Sequence, residues 1–269
     1  MNCRYPGFSR FVGSIAFSAI VAAIGASAQP QQVVSGQREF RPGAITRAED
    51  VPASRLRAQL DRLPAAARLR AGAWLKNIHF TDHDLQTMQA DSDGGIFYVD
   101  SFTQAAEAFP AAGEPATAQA AMPVSPLPSG LVFHSKPGAP NVIYLNFVGA
   151  TISGTAWNTS ARPTFQAVAF STDSDFATFS DGEQTAIKRI WERVAEDYAP
   201  FNVDVTTEAP TSPGTRTATA LITRSTDATG APNPSSTAGG IAYINVFGSA
   251  NNSYYSPAWV YYDNLSNLE

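Results

Sequence analysis

The chain has 269 residues, 44% of them hydrophobic and 15% charged, which allows one or two globular domains with a sizeable core. Its 18 Lys+Arg stand against 23 Asp+Glu, giving a net charge of −5, and no basic stripe with interleaved aromatics occurs, so nucleic acid is not an expected partner. The one cysteine, Cys3, lies in a segment read below as removable; the processed chain would have no disulfide, thiolate ligand or cysteine nucleophile.

Arg4 and Arg10, the apolar run from Phe11 to Ile24, and Ala26-Ser27-Ala28 before Gln29 predict a secretory signal over residues 1–28. Cleavage near Ala28 would make the protein secreted, either extracellular or periplasmic. The apolar run is shorter than the roughly 20 residues that span a bilayer, so no stable membrane anchor is expected.

Residues 29–101 read as a small, mostly helical α+β region. Leu56, Leu60 and Leu63 recur at helical spacing, and Pro64, which has no N–H to donate, breaks or restarts the helix. Ala67, Ala71, Trp74, Leu75 and Ile78 then resume an apolar stripe. Thr81-Asp-His-Asp84 predicts a capping-box-like start to a short helix through Met88, and Asp93-Gly94-Gly95 a turn into the strand Ile96-Phe-Tyr-Val99. Residues 102–130 are rich in Ala and Pro and read as a linker. A helical module, a linker and a second domain is the layout of a prosegment before a secreted enzyme, and equally that of two tethered domains.

The second domain, 131–269, opens with the strand Asn141-Val-Ile-Tyr-Leu-Asn-Phe-Val148. A loop with Trp157 and Pro163 follows, then a short strand at Ala167 to Phe170. Ser180-Asp-Gly-Glu183 is a capping box, and behind it Ile187, Ile190, Trp191, Val194 and Tyr198 form one apolar helical stripe that Pro200 ends. Four strands complete the series: Asn202 to Thr207, Ala218 to Thr223, Gly240 to Phe247 and Ala258 to Asp263. The fold class is therefore α/β in this domain and α+β overall, with a mixed sheet.

Local motifs carry little chemistry. His79 and His83 have the spacing of an H-E-x-x-H zinc site but lack its glutamate, and read as solvated. His134 reads as a lone surface histidine. Asp173, Asp175, Asp181 and Glu183 cluster in sequence and offer oxygen ligands for Ca²⁺, without the glycine and terminal glutamate of an EF-hand; Asp181 and Glu183 also suit a helix N-terminus. No G-x-S-x-G, P-loop or G-x-G-x-x-G is present.

The run from Thr178 to Thr207, with Ala218 to Arg224, Gly239-Gly-Ile-Ala-Tyr-Ile-Asn-Val-Phe-Gly248 and Pro257-Ala-Trp-Val-Tyr-Tyr-Asp263, resembles bacterial secreted metzincin zinc peptidases of the reprolysin-like kind. The resemblance covers about half the chain. It implies a small helical prosegment followed by the upper, mixed-sheet half of a catalytic domain, running strand, helix, strand, strand, edge strand, strand, and then a zinc-binding H-E-x-x-H-x-x-G-x-x-H helix. The sequence stops at Glu269 without that motif, so the expectation is the N-terminal part of an exported zinc metalloendopeptidase, inactive as given. In the complete enzyme a zinc-bound water would attack the bond of a polypeptide substrate. The resemblance also places Gly240, Ile241, Ala242, Tyr243 and Ile244 on the cleft-edge strand that pairs with substrate. With no cysteine after residue 3, a prosegment here would inhibit through another ligand or by steric cover. The alternative is a secreted, non-enzymatic binding module assisted by Ca²⁺ at Asp173, Asp175 and Asp181.

Overall fold

A computed structural model of the chain describes residues 38–100 and 127–265. The predicted signal segment and most of the Ala/Pro-rich linker lie outside the described residues.

The first region forms β1 (Glu39–Phe40), α1 (Arg55–Leu60), α2 (Ala65–Leu75), β2 (Phe80–Thr81), α3 (Asp84–Thr87), β3 (Met88–Ala90) and β4 (Ile96–Asp100). Ser54 caps α1 by accepting the Arg57 N–H at 3.1 Å. Pro64 occupies the N-cap of α2, where its missing N–H costs nothing. The Asp84 carboxylate accepts from the Thr81 N–H at 2.7 Å and from its hydroxyl, but α3 lasts only four residues because Met88 turns extended and enters β3. The β3–β4 turn passes close under α2. Gly94 sits there at φ +85, and a Cβ on it would lie 2.0 Å from the Ala67 carbonyl oxygen, so only glycine fits.

The second region forms β5 (Asn141–Asn146), β6 (Ala150–Ser153), β7 (Thr164–Ala167), α4 (Asp181–Asp197), β8 (Val203–Thr206), β9 (Thr217–Thr223), β10 (Gly240–Tyr243) and β11 (Ala258–Tyr261). The molecule is α+β, with few helices around a large mixed sheet. The capping box forms as read: the Glu183 N–H reaches Ser180 Oγ, and Glu183 Oε2 accepts the Ser180 N–H at 2.8 Å. Ile187, Ile190 and Val194 of the helical stripe are buried, and Trp191 donates its indole N–H to the Val205 carbonyl at 2.8 Å, docking α4 on β8. The stretch read as a loop before a strand at Ala167 to Phe170 is instead an antiparallel hairpin, β6–β7. Its turn back from β5 uses Gly149 at φ +77, packed so closely that a Cβ would meet the Ala167 carbonyl oxygen at 2.5 Å.

Seven strands share one sheet in the order β3-β4-β10-β11-β9-β5-β8. β8, β5, β9 and β11 are mutually parallel; β10 runs antiparallel to β11, and β4 antiparallel to β10. Strands from both sides of the linker thus form one sheet. The edge position expected for Gly240 to Ile244 is corrected accordingly: β10 is hydrogen-bonded on both sides. It is also shorter than the sequence suggests, because Asn245 adopts φ +57 and turns the chain after Ile244.

Residues directly opposite one another share a face of a sheet. Phe97, Ile241, Tyr243, Trp259 and Leu221 therefore lie on one face, which the β6–β7 side covers through Trp157 and Phe165. Ile96, Tyr98, Ala242, Val260 and Ile222 lie on the other. A second apolar cluster joins Met88 and Ile96 to Leu56, Leu60, Leu75 and Ile244, so α1 and α2 pack on that opposite face. Trp74 packs against both clusters.

Candidate functional site

The predicted substrate strand is the centre of the densest aromatic packing in the described residues. Tyr243 lies 4.4 Å from Trp157, 5.5 Å from Phe97 and 4.9 Å from Tyr255, measured between ring centroids. These rings come from the post-β6 loop, from β4 and from the loop before β11. Trp74 of α2 completes the group, 5.0 Å from Tyr255 and donating its N–H to the Ile244 carbonyl at 2.9 Å. The indole N–H of Trp157 is satisfied by the Pro257 carbonyl at 2.9 Å. The Tyr243 hydroxyl donates to Asp91 Oδ2 at 2.8 Å. Burial, and then the Asp91 charge, push this hydroxyl well above the ordinary phenol range, so it stays neutral and serves as a donor.

A cavity of about 730 Å³ opens beside these rings, with Phe97, Val99, Ile241 and Tyr243 on the β4–β10 side and Trp157 and Asn233 on the loop side. Asn233 is buried, and its side-chain Oδ1 has no hydrogen-bond partner. Of the five residues expected on the substrate strand, Ile241 and Tyr243 face this cavity, Gly240 and Ala242 alternate to the other face, and Ile244 lies past the strand's end in the second cluster. What the arrangement offers is backbone pairing on the flank of β10 and an aromatic socket beside it. In this chain β4 occupies both.

Three of the four acidic residues singled out in sequence, Asp173, Asp175 and Glu183, accept hydrogen bonds from nearby groups of the chain. Asp173 Oδ1 accepts from the Ser171 hydroxyl and the Asp175 N–H, and Asp175 accepts from the Ala177 N–H and the Thr178 hydroxyl. Glu183 is buried and spends both oxygens, one on its cap and one on the Thr172 N–H at 2.5 Å. Among the described residues no three His, Cys, Asp or Glu side chains converge in a way that could hold a metal ion. His79 and His83 are exposed, and His79 Nε2 is 3.7 Å from Glu39 Oε2. A catalytic zinc needs three protein ligands, and the described residues bring no such set together.

His134, read from sequence as a lone surface residue, is held on both sides. Its Nδ1 lies 2.7 Å from Asp204 Oδ2 and its Nε2 2.9 Å from Glu208 Oε2. The hydrogen bond to Asp204, followed by that to Glu208, raises its pKa above the ordinary imidazole value. With both ring nitrogens engaged by carboxylates, the imidazole acts as a clasp and has no free nitrogen to accept a substrate proton. The one available signal was Asp204, an acidic residue in the middle of an otherwise apolar and hydroxylic strand.

The clasp belongs to a strap. Leu131 to Lys136 lies along the outer side of β8: Ser135 donates its N–H to the Val205 carbonyl, the Thr207 hydroxyl donates to the Leu131 carbonyl, and the Lys136 N–H donates to Asp204 Oδ1. Phe133 stacks on Trp191 at 4.9 Å. Among the described residues no helix is long and apolar enough to cross a membrane. Comparison with family models, curated proteins and solved structures finds no match to this chain.

Proposed function

We propose that this chain is the N-terminal part of an exported zinc-dependent metalloendopeptidase: signal segment, prosegment, linker and the sheet-bearing half of a metzincin-like catalytic domain. One observation supports the reading above the others. The strands contributed by residues 131–265 alone run β10-β11-β9-β5-β8, four parallel and one antiparallel, and the antiparallel strand β10 is outermost among them. Strand, helix, strand, strand, edge strand, strand is the order the resemblance implies, if the β6–β7 hairpin is counted as an insertion. Under this reading the substrate is an extended polypeptide, and β3–β4 belongs to the prosegment. The zinc site would lie in sequence other than these 269 residues, and no catalytic step is assigned to the residues present.

The test is to read the coding DNA after codon 269 in all three frames and to express the longest product. A H-E-x-x-H-x-x-G-x-x-H sequence within a few tens of codons and chelator-sensitive cleavage of casein are expected. The 269-residue chain alone should do neither zinc binding nor cleavage. A stoichiometric zinc in that chain, with chelator-sensitive proteolysis, would overturn the assignment of the zinc site elsewhere. The lack of any such downstream motif would leave an exported binding protein as the better reading.

A further inference from the structure

The β6–β7 side leaves part of its sheet face open. Along β9, Thr217, Thr219 and Leu221 alternate onto that face, and Leu221 stands opposite Asn146 of β5. β9 lies between β5 and β11, yet Thr219 is only half-buried. A cavity of about 270 Å³ accounts for this, lined by β9, β6 and the loop before β11.

Its wall is polar but uncharged: among the described residues no Asp, Glu, Lys, Arg or His lines it. Asn252 is 4% exposed, and its Nδ2 donates to the Gly214 carbonyl at 3.2 Å and to the Thr217 carbonyl at 2.7 Å. Two carbonyls fix the amide with its nitrogen toward them. Oδ1 is thereby left at the cavity wall as an acceptor to which no group of the described residues donates. The Thr219 hydroxyl also has no partner among the described residues and is free to donate or accept. Asn146 spends Oδ1 on the Val148 N–H and one Nδ2 hydrogen on the Gly149 carbonyl, which leaves it a second hydrogen. Leu221 and Ile152 add apolar surface to the same wall.

We propose that this cavity binds a neutral monosaccharide, with Asn252 Oδ1 and the Thr219 hydroxyl as its polar anchors and Leu221 and Ile152 against its C–H groups. An ion would find no opposite charge in the wall. A hydrocarbon would cut Asn252 Oδ1 and the Thr219 hydroxyl off from water and leave them unpaired. A sugar ring meets both demands, because each of its hydroxyls donates and accepts while its carbons tolerate apolar neighbours. The site requires no zinc and stands apart from the peptidase reading.

The experiment titrates the full 269-residue chain with glucose, galactose and mannose by calorimetry, with amide hydrogen exchange to locate the site. At least one hexose should bind saturably with a Kd of about 10 mM or below, and should slow exchange in β9 and in the loop around Asn252. The uronic acid and the amino sugar of that hexose should bind at least about tenfold more weakly, since their charges would be buried without a partner. Thr219→Val keeps the β-branched shape but loses the hydroxyl, and should weaken binding at least about tenfold. Thr219→Ser retains the hydroxyl and should retain binding. The proposal is overturned if no hexose binds this well, which would make the cavity a site for water only. It is equally overturned if Thr219→Val or the charged sugars bind as well as the reference pair, or if the amides that the sugar protects lie elsewhere. That last measurement uses the unaltered chain, so it decides the matter even where Thr219→Val fails to fold. Casein cleavage is a separate readout, so failure of the sugar site and failure of the peptidase reading are distinguishable.

Discussion

The two flanks of the second domain's own sheet are both covered, by different means. At β10 the cover is a second strand, β4, in continuous four-residue register and backed by aromatic rings. At β8 it is the strap Leu131 to Lys136, which makes only an isolated antiparallel bridge at His134↔Thr206 and relies on side chains for the rest: Ser135, Thr207, Asp204 and His134. A free strand edge invites pairing with other chains, so both covers serve solubility. The ladder is generic in its backbone and selective only through its side chains, whereas the strap depends on particular polar groups, one of them a histidine whose pKa its acidic partners raise.

That contrast can be broken first at Tyr243. Tyr243→Ala removes the ring that Phe97, Trp157 and Tyr255 pack on, and should cost about 4 kcal/mol in chemical denaturation, with exchange of the β4 amides rising most. A loss below about 1 kcal/mol would mean that backbone pairing alone holds β4. The strap has its counterpart in Asp204, whose buried carboxylate accepts from both His134 and the Lys136 N–H. Asp204→Ala should cost about 2 kcal/mol, concentrated in exchange of residues 131–136 and leaving β4 unchanged. Equal loosening of both flanks would show that they open as one unit.

The smallest effect sharpens the comparison most. The groups facing the His134 ring are Asp204 and Glu208, and both favour its protonated form. A histidine whose folded pKa lies above its unfolded value contributes stability that is fully present below the unfolded pKa, near 6.5, and is lost as pH rises through the raised folded value. The stability gap between the unaltered chain and His134→Gln should thus be about 1 kcal/mol or less at pH 5.5 and shrink toward zero at alkaline pH. A gap independent of pH would mean that the ring serves the strap by shape alone.

Much of the local structure was legible. α4 has its cap and stripe within twenty residues, and the break at Pro64, the Gly94 turn and the core strands follow from backbone stereochemistry and hydrophobic pattern. The hairpin β6–β7 was not legible, because Ala150 to Ser153 and Thr164 to Ala167 are short and half polar, and only pairing with each other makes them strands. The carboxylates Asp173 and Asp175 offer oxygen ligands in sequence, and only the structure shows that each accepts hydrogen bonds within the turns of its own loop.

Sequence alone therefore determined most of the helices and core strands, the strand starting at Gly240 among them, and the mixed α+β class, since capping and periodicity act over one or two turns of chain. Only the tertiary structure decided that β4 lies on β10, that Tyr243 ties α2, β4 and two loops together, and that His134 is clasped between two acids. Those contacts join residues separated by about 70 to 170 positions. Main-chain pairing leaves no side-chain signature of its partner, and a carboxylate shows no preference for its histidine until the fold places them 2.7 Å apart.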